Sequence, residues 1–562
     1  MPASRLAAVC RHHQGCQCVE HCICADSVPA DRCLLRLGAA GLIEVVSPFD
    51  AVTQAQLRAV RPRGLWRARQ RCWQFPLEAG ITLRQALGNR FVVEAELQRW
   101  LAWLEQPLPP LPPHRALVQA AHLDHALPDG RRLFAHQRAG ARWLLARRGA
   151  LLADAMGLGK TVTALAAARA LVRQADCRVV VVAPVGLHAH WQREAAALQL
   201  RLALHSWAAL PTDLPEAGCV LIADEAHFAQ NSQARRTAAL LRLARHPRLR
   251  ACWLLTGTPM KNGRPAQLLP LLAAIGHPLA RDPFGFEQRY CGGHWRDEGG
   301  RRVWQARGAT RLEELQRLVR PLLLHRRKQD CLDLPPKLRH LLPVELAPAQ
   351  ALAFDQSFQQ CLEQYRQRAR LGLVRRDAEA LAALTALRQL ASRHKLPAAR
   401  ALIAPLLARG EPVVVFTAFV ASASALQQAL AGDATAALLT GSLAAPERQR
   451  QVDRFQRGEL PLLVATYGTG GLGFTLHRAR HVVLLERPWT PGDAEQAEDR
   501  CHRIGMAAAL QCHWLQLGVA DQLVDSLIAS KAERIAVVLN GRRRRLQRQR
   551  LAAMVHDLFS AG

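Results

Sequence analysis

No stretch of this chain approaches the apolar length that a membrane-spanning helix requires, so no such span is expected. No secretion signal is expected either. The start offers one early arginine and the patch Leu6-Ala7-Ala8-Val9, too short for a signal-peptide core. Acidic residues are in deficit, with 45 Asp and Glu against 75 Lys and Arg, a formal charge of +30 over 562 residues. A chain that basic usually meets a polyanion, most often nucleic acid, although a genome that favours Arg and Ala codons would raise the charge too. Paired C-x2-C knuckles are absent as well. Of 15 cysteines, those after Cys33 are scattered singly. Scattered cysteines without a secretion signal read as reduced core residues and place the protein in the cytoplasm, nucleoid-associated if bacterial.

What is present begins with a cluster. Cys10, His12, His13, Cys16, Cys18, His21, Cys22, Cys24 and Cys33 supply enough thiolate and imidazole for one Zn2+ ion. The run C-x-C-x3-C-x-C is irregular for a tetrahedral site, and a Cys-rich terminal segment without metal is the other reading. The length calls for several domains. Residues 1–34 form this Cys/His-rich segment. Residues 35–106 form a small α+β module. In it Leu42-Ile43-Glu44-Val45-Val46 reads as a strand and Phe49-Asp50 opens a helical stretch through Ala59. Arginines alternate with rings from Trp66 to Phe75, which suits either stacking on nucleic acid or a small strand core with arginines in water. Residues 107–114 are a stiff proline-rich linker. From 115 to 335, nearly all-apolar runs at Leu151–Ala153, Val179–Ala183, Val220–Ala223 and Cys252–Leu255 alternate with helical stretches. Such runs suit a parallel sheet covered on both faces. The pattern returns over 401–540 with Val413–Thr417, Leu462–Thr466 and Val482–Leu485. Residues 336–400 read as a helical connector and 541–562 as a basic tail. The expected fold class is α/β, with two tandem parallel-sheet lobes.

The run from Ala150 to Thr161 reads as strand, glycine-spaced turn and Gly-Lys-Thr, followed by an Ala- and Leu-rich helix. Glycines let successive N–H groups face one point, which is also the positive end of that helix. Lys160 would reach the outer phosphates of a nucleotide, and Thr161 would offer its hydroxyl to Mg2+. Asp154 stands where the full phosphate-loop pattern asks for glycine. A second motif follows 64 residues later, Asp224-Glu225-Ala226-His227 at the end of a buried strand. Ligands gather at such strand ends in open α/β sheets. Asp224 would hold Mg2+, and Glu225 would orient and deprotonate the attacking water.

Asp154-x-Met156-Gly157-Leu158-Gly159-Lys160-Thr161 followed by this Asp-Glu-Ala-His resembles the Swi/Snf-type helicases of superfamily two, DNA translocase ATPases with two RecA-like lobes. Other segments follow in the family's order over residues 130–540. Leu133 to Leu144 resembles the Q motif, so Gln137 would read adenine. Leu255-Thr256-Gly257-Thr258-Pro259 resembles motif III, and Ala465 to Leu476 resembles motif V. Gln496 to Gly505 resembles motif VI, in which Arg500 and Arg503 lie three apart on one helix face and would act as arginine fingers. His325-Arg326-Arg327-Lys328 resembles the family segment that leaves lobe one. The 35–106 module, and Phe286 with Arg289-Tyr290-Cys291, resemble the HARP-type annealing helicases.

The resemblance implies a DNA-dependent ATP hydrolase. Its catalytic residues would be Lys160, Asp224, Glu225, Arg500 and Arg503. Gln137, Asp154, Met156, Gly157, Leu158, Gly159, Lys160, Thr161, Asp224 and Gly473 would bind nucleotide, with Thr161 and Asp224 at Mg2+. DNA contacts are expected at Thr256, Thr258, Gly468, Thr469, Gly470 and Gly471. Duplex or branched DNA is the expected partner, bound without regard to sequence by what is expected to be a monomer. Residues 1–106 are a segment through which a protein partner could be met. Strand annealing or fork remodelling in DNA repair is the implied use. A strand-separating RNA or DNA helicase and an ATP-gated scaffold that remodels a protein partner are the alternatives. Ala155, Met506 and Phe134 depart from the family pattern, where Glu, Gln and a basic residue are usual.

Overall fold

The computed structural model describes residues 31–37, 42–98 and 123–540, apart from 62, 69, 77–78, 96, 175, 299, 371–375, 471–473 and 507. Cys10 to Cys24, the proline-rich linker and the basic tail lie outside the described residues. The chain forms two compact units. One contains the N-terminal sheet with segments 264–269 and 278–312, and the other contains both parallel sheets.

The N-terminal sheet has five strands, β1 (Cys33–Leu37), β2 (Leu42–Val46), β3 (Leu65–Arg67), β4 (Cys72–Pro76) and β5 (Phe91–Val93), in the order β3-β4-β2-β1-β5. Only β1 and β5 pair in parallel. Helices α1 (Ala51–Ala59) and α2 (Gly80–Leu87) complete the module. Asp50 caps α1 by accepting the Thr53 N–H at 2.8 Å. Leu35, Ile43, Leu57, Phe75 and Leu83 form the core with Cys33. Burial pushes the Cys33 thiol up to about 11. Cys33, a member of the Cys/His-rich cluster in the sequence, is instead a buried core residue. Among the described residues no group of three His, Cys, Asp or Glu side chains could hold a metal. Phe75 is buried, whereas Trp66 is 37% exposed. The alternating run therefore builds a strand core and leaves one ring outside.

The first parallel sheet contains β6 (Gly149–Leu152), β7 (Arg178–Ala183), β8 (Leu202–Ser206), β9 (Cys219–Asp224), β10 (Leu249–Leu255) and, after an antiparallel hairpin of β11 (His294–Glu298) and β12 (Arg301–Gln305), β13 (Leu323–Leu324). Its order is β13-β6-β10-β9-β7-β8. Helices α3 (Ala135–Leu145), α4 (Lys160–Gln174), α5 (His188–Ala197) and α6 (Arg235–Ala244) belong to this lobe, and α7 (Pro283–Tyr290) precedes the hairpin in the other unit. The expected strands are all present. Edge strand β8 went unread because it alternates weakly and stays half-exposed.

The second parallel sheet has the order β14-β19-β18-β15-β17-β16. These are β14 (Lys337–Pro343), β15 (Val413–Thr417), β16 (Ala436–Leu439), β17 (Leu462–Thr466), β18 (His481–Leu484) and β19 (Leu510–Gln516). Val414 and Phe416 enter one core cluster while Val413 and Val415 enter another, as expected of strands buried on both faces. Helices α8 (Pro348–Arg370) and α9 (Arg376–Ala408) connect the lobes, and α10 (Val420–Ala429), α11 (Ala445–Arg457), α12 (Pro491–Cys501) and α13 (Gly518–Asn540) complete the second. The 336–400 connector is not wholly helical. Its first residues are β14, which pairs in parallel with β19. Leu338 and Leu341 of β14 are exposed, as on a sheet edge, so no buried apolar run marks the strand.

Candidate nucleotide site between the two lobes

The strand β6 ends at Leu152, and the loop from Ala153 to Gly159 leads directly into α4. Gly157 and Gly159 have φ of +86° and +74°, values open to glycine and strained for other residues. A side chain at 159 would also collide with the Gln137 amide. Lys160 donates to the Asp154 carbonyl at 2.8 Å, so its ammonium is folded over the loop. α4 begins at Lys160, so the positive end of its helix lies at this loop and suits an anion.

Asp154 is 1% exposed and its carboxylate is paired with Arg326. Asp154 therefore has its side chain engaged within the lobe. It serves the loop through its carbonyl, while the Arg326 guanidinium occupies both carboxylate oxygens. Arg326 also donates to the His136 carbonyl at the start of α3. It lies against Gly140, where a Cβ would meet its Nη2 at 2.7 Å. One side chain thus ties α3, the phosphate loop and the segment after β13 together.

Gln137 is likewise turned inward. Its Oε1 accepts the Phe134 N–H at 3.0 Å, closing the first turn of α3, and its Nε2 faces the Leu158 carbonyl at 3.4 Å. His136 Nε2 sits 2.9 Å from the same carbonyl. Leu158 is buried, so it too acts through its backbone. The ring of Phe134 is 47% exposed and stacked on His136 with centroids 5.7 Å apart.

The carboxylate pair stands at the end of β9. Asp224 is 6% exposed and accepts Trp191 Nε1 at 2.9 Å and the Glu225 N–H at 2.9 Å. Trp207 Nε1 reaches the Asp224 carbonyl at 2.8 Å. Two tryptophans on other elements therefore fix this residue. Glu225 adopts a left-handed conformation, φ 50° and ψ 48°, which sends its side chain away from that of Asp224. Its Oε2 lies 3.1 Å from His227 Nδ1, which faces the Thr256 hydroxyl at 3.4 Å. Thr256 also accepts the Thr258 N–H at 3.1 Å.

The second lobe brings arginines to the same loop. Arg500 is 3% exposed near the end of α12. Arg503 donates to the Thr475 hydroxyl at 2.9 Å and to the Asp499 carbonyl at 3.1 Å. Its Cγ lies 3.7 Å from where a Cβ on Gly157 would stand. Lys328 donates to Asp499 Oδ1 at 3.0 Å and to the His502 carbonyl at 2.8 Å, and Lys261 pairs with Asp493 at 2.8 Å. The cleft is thus held closed by ion pairs along α12. A cavity of about 670 Å³ flanks it, lined in part by Ala155, Met156, Lys328 and Asp499. Neither Lys160 nor the carboxylates of β9 line that cavity.

Charge and burial set the protonation states. Burial would raise the Glu225 carboxyl, but the His227 hydrogen bond and the charges of Lys160 and Arg500 bring it below the usual carboxylate range. Burial and the neighbouring Glu225 charge push Asp224 up. Burial pulls the Lys160 ammonium down, opposed by Glu225, Asp154 and Asp224. Burial and Arg503 push the Arg500 guanidinium down to about 9, still charged at neutral pH.

The residues expected to touch DNA fare differently. Thr256 is fully buried, with its hydroxyl committed to His227 and the Thr258 N–H. Thr469 is 3% exposed and bonded to the Thr466 hydroxyl at 2.8 Å. Neither side chain faces solvent. Thr258 is half-buried against Gly492 of the second lobe. Gly468 is exposed, and Gly470 ends the short helix Tyr467–Gly470. Gly471 and Gly473 lie outside the described residues. Trp191, Trp207 and Arg326 support the site across sequence distances that only the fold closes.

A glycine-spaced strand-to-helix loop and a strand-end carboxylate pair in one parallel-sheet lobe are faced by Arg500 at the end of α12 and Arg503 just past it in the other lobe. An SNF2-related domain matches residues 136–205 and 216–396, and a helicase conserved C-terminal domain matches 394–505. The chain therefore carries an SNF2-related domain followed by a helicase C-terminal domain. It is 29% identical over 459 residues to the DNA annealing helicase and endonuclease ZRANB3 of Mus musculus, covering 75% of this chain and 42% of that protein. It is 28% identical over 455 residues to the putative ATP-dependent helicase/translocase YwqA of Bacillus subtilis, covering 70% and 47%. A Caenorhabditis elegans homologue of the SWI/SNF-related matrix-associated actin-dependent regulator of chromatin subfamily A-like protein 1 is 26% identical over 530 residues, covering 86% and 73%. The chain thus spans less than half the length of the first two relatives. Among solved structures, the Sulfolobus solfataricus SWI2/SNF2 ATPase core in complex with dsDNA is similar at 22% identity and a TM-score of 0.34, covering 75% of this chain and 95% of that one.

Proposed function

We propose that this chain is a DNA-dependent ATPase that moves on duplex or branched DNA and serves strand annealing or fork remodelling. The observation that carries the reading is the meeting of two half-sites. Lys160 and Glu225 belong to one lobe, and Arg500 and Arg503 to the other, with Arg503 against Gly157 and the Arg500 charge felt by Glu225. Phosphoryl transfer asks the protein mainly to position groups and neutralise charge. The α4 N-terminus and Lys160 would take the phosphates of ATP. The exposed Phe134 ring offers a face for the base. Glu225, held ionised, would orient the attacking water and accept its proton, while Arg500 and Arg503 would stabilise charge on the transferring phosphoryl.

Thr161 and Asp224 form an oxygen-only donor set that suits Mg2+, which when bound would neutralise phosphate charge. Opening the cleft after hydrolysis would break the Lys328–Asp499 and Lys261–Asp493 pairs, and closing on ATP would remake them. Repeating this while each lobe grips the backbone in turn would advance the chain along DNA. The charge of +30 and the DNA-directed name of the ZRANB3 relative support that partner.

The test is hydrolysis rate against single-stranded, duplex and forked DNA and against RNA, joined to a triplex-displacement assay. Stimulation by duplex or forked DNA with displacement of the third strand is expected. Stimulation by single-stranded RNA alone would sink the DNA reading. Robust hydrolysis without displacement would replace the motor with a scaffold.

A further inference from the structure

The hairpin of β11 and β12 carries a ring assembly that the nucleotide site does not use. Trp295 and Trp304 are cross-strand partners, so both rings lie on one face, with centroids 5.3 Å apart at an edge-on angle. Phe284, from α7, stacks on Trp304 at 4.4 Å. The Arg302 guanidinium lies over the Trp295 ring at 5.7 Å. Asp297 shares this face, but its carboxylate accepts the Gly300 N–H at 3.1 Å and closes the turn.

Trp304 anchors the assembly. Its Nε1 donates to Glu287 on α7 at 2.7 Å, and a Cβ on Gly293 would strike its ring. The outer rings remain uncovered, with Trp295 48% and Phe284 41% exposed. A two-stranded hairpin could use one tryptophan pair as its whole core. That account explains Trp304, which is half-buried and hydrogen-bonded. It does not explain why rings on either side of Trp304 stay open to water beside an arginine.

We propose that this face is a stacking platform for unpaired bases of a single DNA strand. The proposal rests on the reading of the chain as a DNA-directed motor. Exposed aromatic faces beside a guanidinium are the chemistry that holds single strands, since every base offers a π face and every nucleotide a phosphate. The chain's basic charge adds complementarity. Such a platform would favour DNA with an open strand over a blunt duplex.

The full chain carrying Trp295→Ala should bind a fluorescein-labelled oligo-dT strand about tenfold more weakly than wild type. Its affinity for a blunt duplex and its duplex-stimulated hydrolysis should not change. Trp295→Phe, which keeps a ring, should recover most of the single-strand affinity. Equal losses on strand and duplex, no loss on the strand, or a Trp295→Phe defect as deep as that of Trp295→Ala would overturn the platform. If no nucleic acid stimulates hydrolysis yet strand binding still depends on Trp295, the motor reading fails and the platform stands.

Discussion

The two lobes are built alike and equipped differently. Each has a six-stranded parallel sheet with strands buried on both faces. The first puts its chemistry at strand ends, in the loop after β6 and the carboxylates after β9. The second offers Arg500 at the end of α12, whose charge acts on Glu225, and Arg503 just beyond it, which lies against the first lobe's loop. Under the proposed function, the phosphate-binding loop belongs to one lobe and the transition-state arginines to the other. A site divided in this way would make closure of the cleft a condition for hydrolysis.

Glu225→Gln would break the first lobe's contribution most severely, because the side chain keeps its shape and loses its basicity. Turnover should fall by about a thousandfold with ATP affinity retained, as read by steady-state hydrolysis and a fluorescent-nucleotide titration. Lys160→Ala should lower hydrolysis by about a hundredfold and weaken ATP binding as well, since the lysine serves ground and transition states alike. A rate close to wild type in that variant would remove the phosphate-loop assignment.

Arg326→Ala probes the support rather than the chemistry. Leaving the buried Asp154 carboxylate without its cation should cost about 3 kcal/mol of stability, visible in denaturant unfolding. A smaller effect belongs to the second lobe alone. Burial and the neighbouring His481 and His340 push the His513 imidazole down to about 4, and Glu411 contacts His481 from the loop before β15. The unfolded chain takes up that proton near the ordinary histidine value, about 6.5, while the folded lobe does not. Stability should therefore fall as pH drops from about 6.5 towards about 4. His513→Gln should make this decline shallower in thermal melts at neutral and acid pH.

The difference between the lobes also governs what could be read from the sequence. Strands buried on both faces announce themselves as apolar runs, so β6, β7, β9 and β10 were legible, as were β15, β17 and β18. Edge strands were not. β14 is mostly exposed and passes for the start of a charged connector. The candidate reactive side chains sit in short local motifs, which a sequence displays directly. Their supports do not, since Arg326 meets Asp154 across 172 residues and Trp191 meets Asp224 across 33. Burial is equally hard to see in a local string. Thr256 and Thr469 look like contact residues in a polar, glycine-rich string, yet both hydroxyls are consumed inside the fold.

Single-turnover hydrolysis by Arg500→Ala tests the divided site most directly, with ATP bound beforehand and its affinity measured in parallel. The arginine should matter only when charge develops on the transferring phosphoryl, so ATP should bind within about threefold of wild type while hydrolysis slows by about a thousandfold. Hydrolysis near the wild-type rate would contradict the account, and so would a loss of ATP affinity that matches the loss of rate.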